Sequence, residues 1–307
     1  MLALCIEALF GYPEALHARL RHPVVWIGAV IDALDRKLNR GAPLARRAKG
    51  FFALAALLAP CFALGAAMEA VLLPLPFGKL AVALLASSLI AQRSLHAHVA
   101  DVARALDVSI YAARENLAKI VGRDTARLDD SAIARSAIES LAENFSDGVV
   151  APVLWLALLG LPGALCYKAI NTADSMIGHR TARHEDFGFA AAKLDDLVNL
   201  PASRLSAGLL AVATFSLARA RQATKIVWRD ARKHVSPNAG WPEAAMAGGL
   251  AIELGGPRAY HGEVMDGAVI GEGRRELGRA DILAALSLYR RALFWLLAGV
   301  GLLASLG

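Results

Sequence analysis

The apolar positions of this chain fall in long runs, and the polar stretches between them repeat at helical spacing. "FFALAALLAPCFALGAAMEAVLL" (51–73) is 23 residues long, with one acid, Glu69, near its end. At 1.5 Å per residue it reaches roughly 34 Å, enough to cross a bilayer. "PLP" (74–76) reads as a turn, and "FGKLAVALLASSLIAQ" (77–92) returns with Lys79 free to snorkel. Residues 51–92 are therefore expected to form a transmembrane hairpin. Residues 93–147 are polar, and apolar positions recur at helical spacing in "VARALDVSIYAARENLAKIV" (102–121). Asp129 or Asp130 is placed to cap the helix that follows. "GVVAPVLWLALLGLPGALC" (148–166) is apolar but interrupted by "GLPG". That predicts one irregular crossing, or a re-entrant segment broken at Pro162. "LSAGLLAVATFSLA" (205–218) is of marginal length for a crossing, and "ALFWLLAGVGLLASLG" (292–307) reads as a final one. The predicted fold class is all-α: a polytopic integral membrane protein with transmembrane helices and membrane-associated amphipathic helices.

Composition agrees. The chain is 56% hydrophobic, which suits a membrane protein with large polar segments better than a soluble enzyme. No linker, repeat or low-complexity tract divides it, so 1–307 reads as a single membrane-embedded domain. The net charge of +6 is gathered in "DRKLNRGAPLARRAKG" (35–50) and "RARQATKIVWRDARKH" (219–234). Such runs are expected in cytoplasmic loops beside the bilayer. Neither sits in a nucleic-acid module, so no nucleic-acid partner is expected. Cys5, Cys61 and Cys166 lie in apolar stretches without metal-ligand spacing and read as small buried hydrophobes.

Candidate chemistry begins where the chain turns apolar. In "SAIESLAENFSDG" (136–148), Glu139, Glu143 and Asp147 fall within about 80° of one another on a helix, with Ser136 on the same face. Asn144 lies beside them. Crowded carboxylates repel. Two readings compete: a bound Mg²⁺ neutralises them, or they form a solvated face with Arg135 paired to Glu139. In "YKAINTADSMIGHR" (167–180), Tyr167, Asn171, Asp174, Ser175 and Gly178 share one narrow face, suited either to a ligand or to a small-residue helix contact. In "KLDDLVNLPASR" (193–204), Asp195 and Asp196 are adjacent and Asn199 is one turn away, which suits Mg²⁺–phosphate or a solvated helix end. Arg123 stands beside Asp124, an anion binder next to a metal-type ligand. "KHVSPNAGWPEA" (233–244) has turn chemistry, and Ser236 and Asn238 either meet a ligand or serve a plain connector. "GAVIGEGRRELG" (267–278) is glycine-rich but follows no clear strand. There is no P-loop, no G-x-S-x-G and no H-E-x-x-H.

Six segments in this order carry a resemblance. They are "HPVVWIG" (22–28), "IVGRDTARLD" (120–129), "IESLAENFSDGVVAPVLW" (138–155), "YKAINTADSMIGHR" (167–180), "FGFAAAKLDDLVNLPASRL" (187–205) and "SPNAGWPEAAMAGGLAIELGG" (236–256). Together they resemble the adenosylcobinamide-phosphate synthase family, the CobD/CbiB type, across nearly the whole chain. The resemblance implies a multi-pass enzyme of the bacterial inner membrane, its active site at the cytoplasmic face. The reaction implied joins a carboxylate of adenosylcobyric acid to (R)-1-amino-2-propanol or its O-phosphate, with ATP and Mg²⁺. It assigns catalytic work to Glu139, Glu143, Asp147 and Asp174. Metal binding falls to Glu143, Asp147, Asp195 and Asp196. Substrate and phosphate contacts fall to Arg123, Asn144, Asn171, Ser175, Arg180, Arg183, Ser236 and Asn238. Homo-oligomerisation stays open. One departure is visible: the family usually reads Gly-Asp-Pro where this chain has Gly11-Tyr12-Pro13. The alternative is a membrane sensor of the related AmpE-like kind, without ligase activity.

Overall fold

A computed structural model describes residues 1–12, 22–122, 124–256, 258–260, 263–265 and 267–306. Helix dominates. Four helical stretches are long and apolar enough to cross a membrane: Pro43–Leu72, Gly78–Leu106, Asp130–Ile177 and Arg279–Leu306. The protein is thus an all-α, polytopic integral membrane protein. The described chain forms two compact units, Met1–Ala91 with Ala151–Asn199, and Gln92–Val150 with Leu200–Gly307.

The first unit begins with α1 (Leu2–Phe10) and α2 (Pro23–Leu38). Pro23 opens α2, and His22 caps it by accepting the Val24 amide proton at Nδ1, 3.3 Å away. Next comes α3 (Pro43–Leu72), which starts eight residues before the apolar run because "PLARRAKG" continues the helix. Phe52, Phe62, Leu64 and Val71 stay exposed along it, a surface that suits lipid. The turn predicted at 74–76 lies between α3 and α4 (Gly78–Ser87). The Gly78 amide donates to the Leu75 carbonyl, closing the hairpin.

Helix α8 (Ala151–Ile177) is broken at Gly160, two residues before the expected Pro162. Gly160 has φ 66° and ψ −160°, open to glycine and strained for other residues. Leu161 thereby starts a fresh helical half with an orphan amide inside a membrane stretch. Glu69 of α3 accepts that proton at 2.7 Å. The acid near the end of the 51–73 run is therefore a cap for a broken neighbour. Gly65 lets α3 and α8 approach closely, since a Cβ there would lie 2.6 Å from Pro162 Cα. The core of this unit joins Ile27 and Ile31 of α2, Ala53 and Leu57 of α3, and Ala169 and Ala173 of α8. Helix α9 (Phe189–Val212) enters it through Ala191.

The second unit holds α5 (Gln92–Leu106), α6 (Ile110–Ala118) and α7 (Asp130–Phe145), the last capped by Asp129, which accepts the Ala132 amide proton. A single π-helical turn, Ser146–Val150, follows α7. Helix α10 (Leu217–Asp230) packs on α11 (Gly240–Leu250), and α12 (Arg279–Leu306) ends the chain. The stretch 205–218, of marginal length for a crossing, is not one continuous helix. The chain turns at 213–216, with Phe215 at φ 52° and Ser216 capping α10. The final helix starts at Arg279, thirteen residues before the predicted apolar stretch, because "RADILAALSLYRR" is helical as well. The turn expected over 233–244 is shorter than predicted: Gly240–Leu250 is already helix, with Pro242 in its first turn, where its missing amide proton costs nothing.

Among the described residues, the strands number four, each of three residues. β1 (Glu253–Gly255) pairs antiparallel with β4 (Val269–Gly271), and β2 (Arg258–Tyr260) with β3 (Glu263–Met265). The glycine-rich segment 267–278 therefore does contain a strand. Three residues are too few to show an alternating pattern.

Candidate active site

In the first unit, the C-terminal half of α8 turns Ala169, Ala173 and Ile177 into the core. Tyr167, Asn171 and Asp174 come off its other positions, and three of the partners they meet are on α9. The Tyr167 hydroxyl, buried, donates to Asn199 Oδ1 at 2.9 Å. That fixes the amide, so Asn199 Nδ2 faces and donates to Asp195 Oδ2 at 3.0 Å. Asn171 Nδ2 reaches Asp195 Oδ1 from α8 at 3.5 Å. Asp195 is 9% exposed and Asn199 fully buried. Burial pushes the Asp195 carboxyl up, and the nearby Asp174 charge pushes it further. Hydrogen bonds from Asn199 and Asn171 pull the other way, and the net position is about 7. A buried carboxyl that changes charge near neutrality is suited to exchanging protons with a substrate.

The neighbouring acids behave differently. Asp196 points toward Lys193 Nζ, 3.1 Å away. Ser175 is exposed, and its hydroxyl donates to the Asn171 carbonyl at 2.9 Å. Arg180 is exposed at the surface. Arg183 reaches Asp35 on α2, which is 6% exposed. Burial raises the Asp35 carboxyl, but hydrogen bonds from Arg183 and Asn39 and the positive charges of Arg183 and His184 outweigh it and hold it below the usual range. Nothing local in the sequence marked Asp35, whose partner stands 148 positions away.

In the second unit, α7 is buried on both faces: Ile138, Leu141 and Ala142 on one side, Ser136 and Glu139 on the other. Glu139 Oε1 accepts the Gly255 amide proton at 2.7 Å, so this carboxylate closes the end of β1. The picture of a solvated face through Glu139 does not hold, because α5, α11 and α12 also pack against this helix. Glu143 and Asn144 are exposed and Asp147 is half-buried. The Asn144 amide bonds Ser140 within its own helix. Asn238 accepts protons from Ser203 at 3.1 Å and Arg204 at 2.8 Å, and Ser236 Oγ accepts the Asn238 and Ala239 amide protons. Arg123 lies outside the described residues.

Among the described residues, no group of three or more His, Cys, Asp and Glu side chains is arranged to hold a metal ion alone. The donors fit Mg²⁺ of another kind. This ion is commonly held by one or two carboxylates, with waters and substrate phosphates completing its shell. Asp174 and Asp196 are close enough for their charges to interact, a carboxylate pair of that sort in one unit; in the other, Glu143 and Asp147 stand four positions apart, at the end of α7 and in the π-helical turn after it.

The fold and these residues define a class: an all-α integral membrane protein carrying a buried carboxylate–carboxamide network beside its membrane helices. The chain belongs to the CobD/CbiB family, whose model, described as "CobD/Cbib protein", matches residues 1–289. Among its relatives is the cobalamin biosynthesis protein CobD of Rhodobacter capsulatus, 46% identical over 308 residues, covering 100% of this chain and 96% of the relative. The protein of that name from Sinorhizobium fredii is 46% identical over 299 residues, covering 95% and 92%. That from Brucella suis is 44% identical over 321 residues, covering 99% and 95%. No solved structure matches the chain.

Proposed function

We propose that this protein acts in cobalamin biosynthesis as an ATP-dependent amide ligase. It would join a carboxylate of adenosylcobyric acid to (R)-1-amino-2-propanol or its O-phosphate at the cytoplasmic face of the bacterial inner membrane. Family membership supports the pathway. One observation carries the chemistry: Asp195 is buried, held by two carboxamides and poised near neutrality.

An amine attacks an activated carboxylate only as the free base. Asp195 takes the ammonium proton, and the raised position of its carboxyl brings it closer to the amine than an ordinary carboxylate would be. Tyr167 and Asn199 hold Asp195 in orientation, and Asn171 keeps its second oxygen directed. ATP would supply the phosphoryl group that activates the substrate carboxylate, and a bound Mg²⁺ would supply charge neutralisation for its phosphates. Asp174 and Asp196, or Glu143 and Asp147, are the residues that would hold the ion. A membrane location suits a large amphipathic corrinoid, which needs apolar wall and polar groups together.

The test is mass spectrometry of purified protein incubated with adenosylcobyric acid, aminopropanol phosphate and Mg-ATP. The reading predicts a product heavier than the corrinoid by the amine less one water. Unchanged corrinoid with ATP still bound would favour the sensor alternative.

A further inference from the structure

The first unit contains a second polar feature, in which Arg183 alone belongs to the residues expected to contact phosphate. An open cavity of about 520 Å³ is lined by Asp35, Arg36, Asn39, Arg40, Gly41, Arg46 and Arg183. Four guanidinium groups thus face it against one carboxylate. Two of them, Arg46 and Arg183, are held by a continuous network. Arg183 donates to Asp35 Oδ2 through Nε and Nη2, at 3.1 and 2.5 Å. Asn39 Nδ2 donates to Asp35 Oδ1 at 2.8 Å and to the Arg183 carbonyl at 2.9 Å. Arg46 Nε donates to Asn39 Oδ1 at 2.8 Å, and its Nη2 to the carbonyls of Ala182 and Arg183. Arg36 pairs with Asp32 at 2.8 Å. Arg40 forms no ion pair among the described residues. Gly41, at φ 101°, turns the chain so that α3 starts two residues on, and no side chain caps that positive helix end.

Four arginines line the hollow, and the carboxylates of Asp32 and Asp35 offset two of them, which leaves an excess of positive charge suited to an anion. Arginine forks fit phosphate oxygens in pairs, and those of Arg46 and Arg183 are fixed before any ligand arrives. We propose that this cavity is a binding site for a phosphate-bearing anion, with Arg36, Arg40, Arg46 and Arg183 as its donors. The phosphate chemistry stands without the ligase reading; only naming a soluble nucleotide or phosphorylated amine as the source rests on it. The other source of the same chemistry is a lipid headgroup, since α3 is a membrane-crossing stretch.

The experiment uses full-length protein in nanodiscs and measures equilibrium binding of inorganic pyrophosphate in phosphatidylcholine. A second arm measures retention of phosphatidic acid by native mass spectrometry. Arg40→Glu and the pair Arg36→Glu/Arg40→Glu are compared with Arg221→Glu, an equal charge change at an exposed position on α10. Pyrophosphate binding that falls at least about tenfold in the Arg40 variants and holds in Arg221→Glu supports a soluble phosphate ligand. No pyrophosphate binding, but phosphatidic acid retained by wild type and lost in the double variant, supports a headgroup site. Failure of both probes to bind wild type, or equal binding to the double variant, overturns the proposal. Pyrophosphate binding needs no turnover, so the result stands whichever way the ligation assay falls.

Discussion

Asp195→Asn provides the sharpest physical test of the buried network. The carboxyl of Asp195 sits at about 7 in the folded protein, against an ordinary value of 3.8. Between those two pH values the unfolded chain has released this proton and the folded chain retains it. Folding therefore takes up a proton, and stability falls as pH rises through the window, levelling off above 7. At 1.36 kcal/mol per unit, a shift of roughly three units amounts to something on the order of 4 kcal/mol. Asparagine has nearly the same shape and no charge to bury, and its oxygen still accepts from Asn199. Wild type and variant should thus have similar stability near pH 4.5, and the variant should be the more stable at pH 8. At about 2–4 °C per kcal/mol, the gap in Tm should open by several degrees or more. The assay is thermal unfolding of detergent-solubilised protein at both pH values, with a chelator and without nucleotide. A gap that stays constant with pH, or that closes toward pH 8, would refute the reasoning.

Three further outcomes follow from the packing. Gly160→Ala places a Cβ 2.6 Å from Glu69 Oε1 in a backbone region (φ 66°, ψ −160°) essentially restricted to glycine, and should destabilise by roughly 1–3 kcal/mol, measured as denaturant midpoint in detergent. Glu139→Ala leaves the buried Gly255 amide without its acceptor and should cost about 1–3 kcal/mol by the same measurement, whereas Glu139→Gln should cost less. Glu143→Ala, at an exposed position, should leave membrane insertion unchanged and stability within about 0.5 kcal/mol of wild type, yet abolish ATP-dependent amide formation; near-normal turnover would remove Glu143 from the site.

How far the sequence disclosed this protein can be judged from particular residues. The hairpin of α3 and α4 was legible because a long apolar run followed by Pro-Leu-Pro has few other outcomes. The break in α8 was legible as a break but misplaced, since proline is tolerated in a first helical turn and the unusual φ falls on Gly160. Asn199 was legible as a partner of Asp195 because the two are one helical turn apart. The Asp35–Arg183 pair was not, because nothing in either neighbourhood encodes a contact across 148 positions. Of the two readings of Glu139, the solvated face fails, because amphipathic reasoning assumes that one helix face meets water. Here the helix is enclosed, and the acid is satisfied by a backbone amide from a strand too short to be seen in advance.

The central claim is that Asp195 accepts the proton of the attacking amine. Its most direct measurement is a single-turnover comparison of wild type and Asp195→Asn, following ADP release and amide formation separately. The account predicts that the variant still releases ADP in the presence of adenosylcobyric acid and forms little amide, and that raising the pH to deprotonate the amine in solution restores part of the yield. Amide formation at the wild-type rate, or equal loss of both steps with no recovery at high pH, would contradict it.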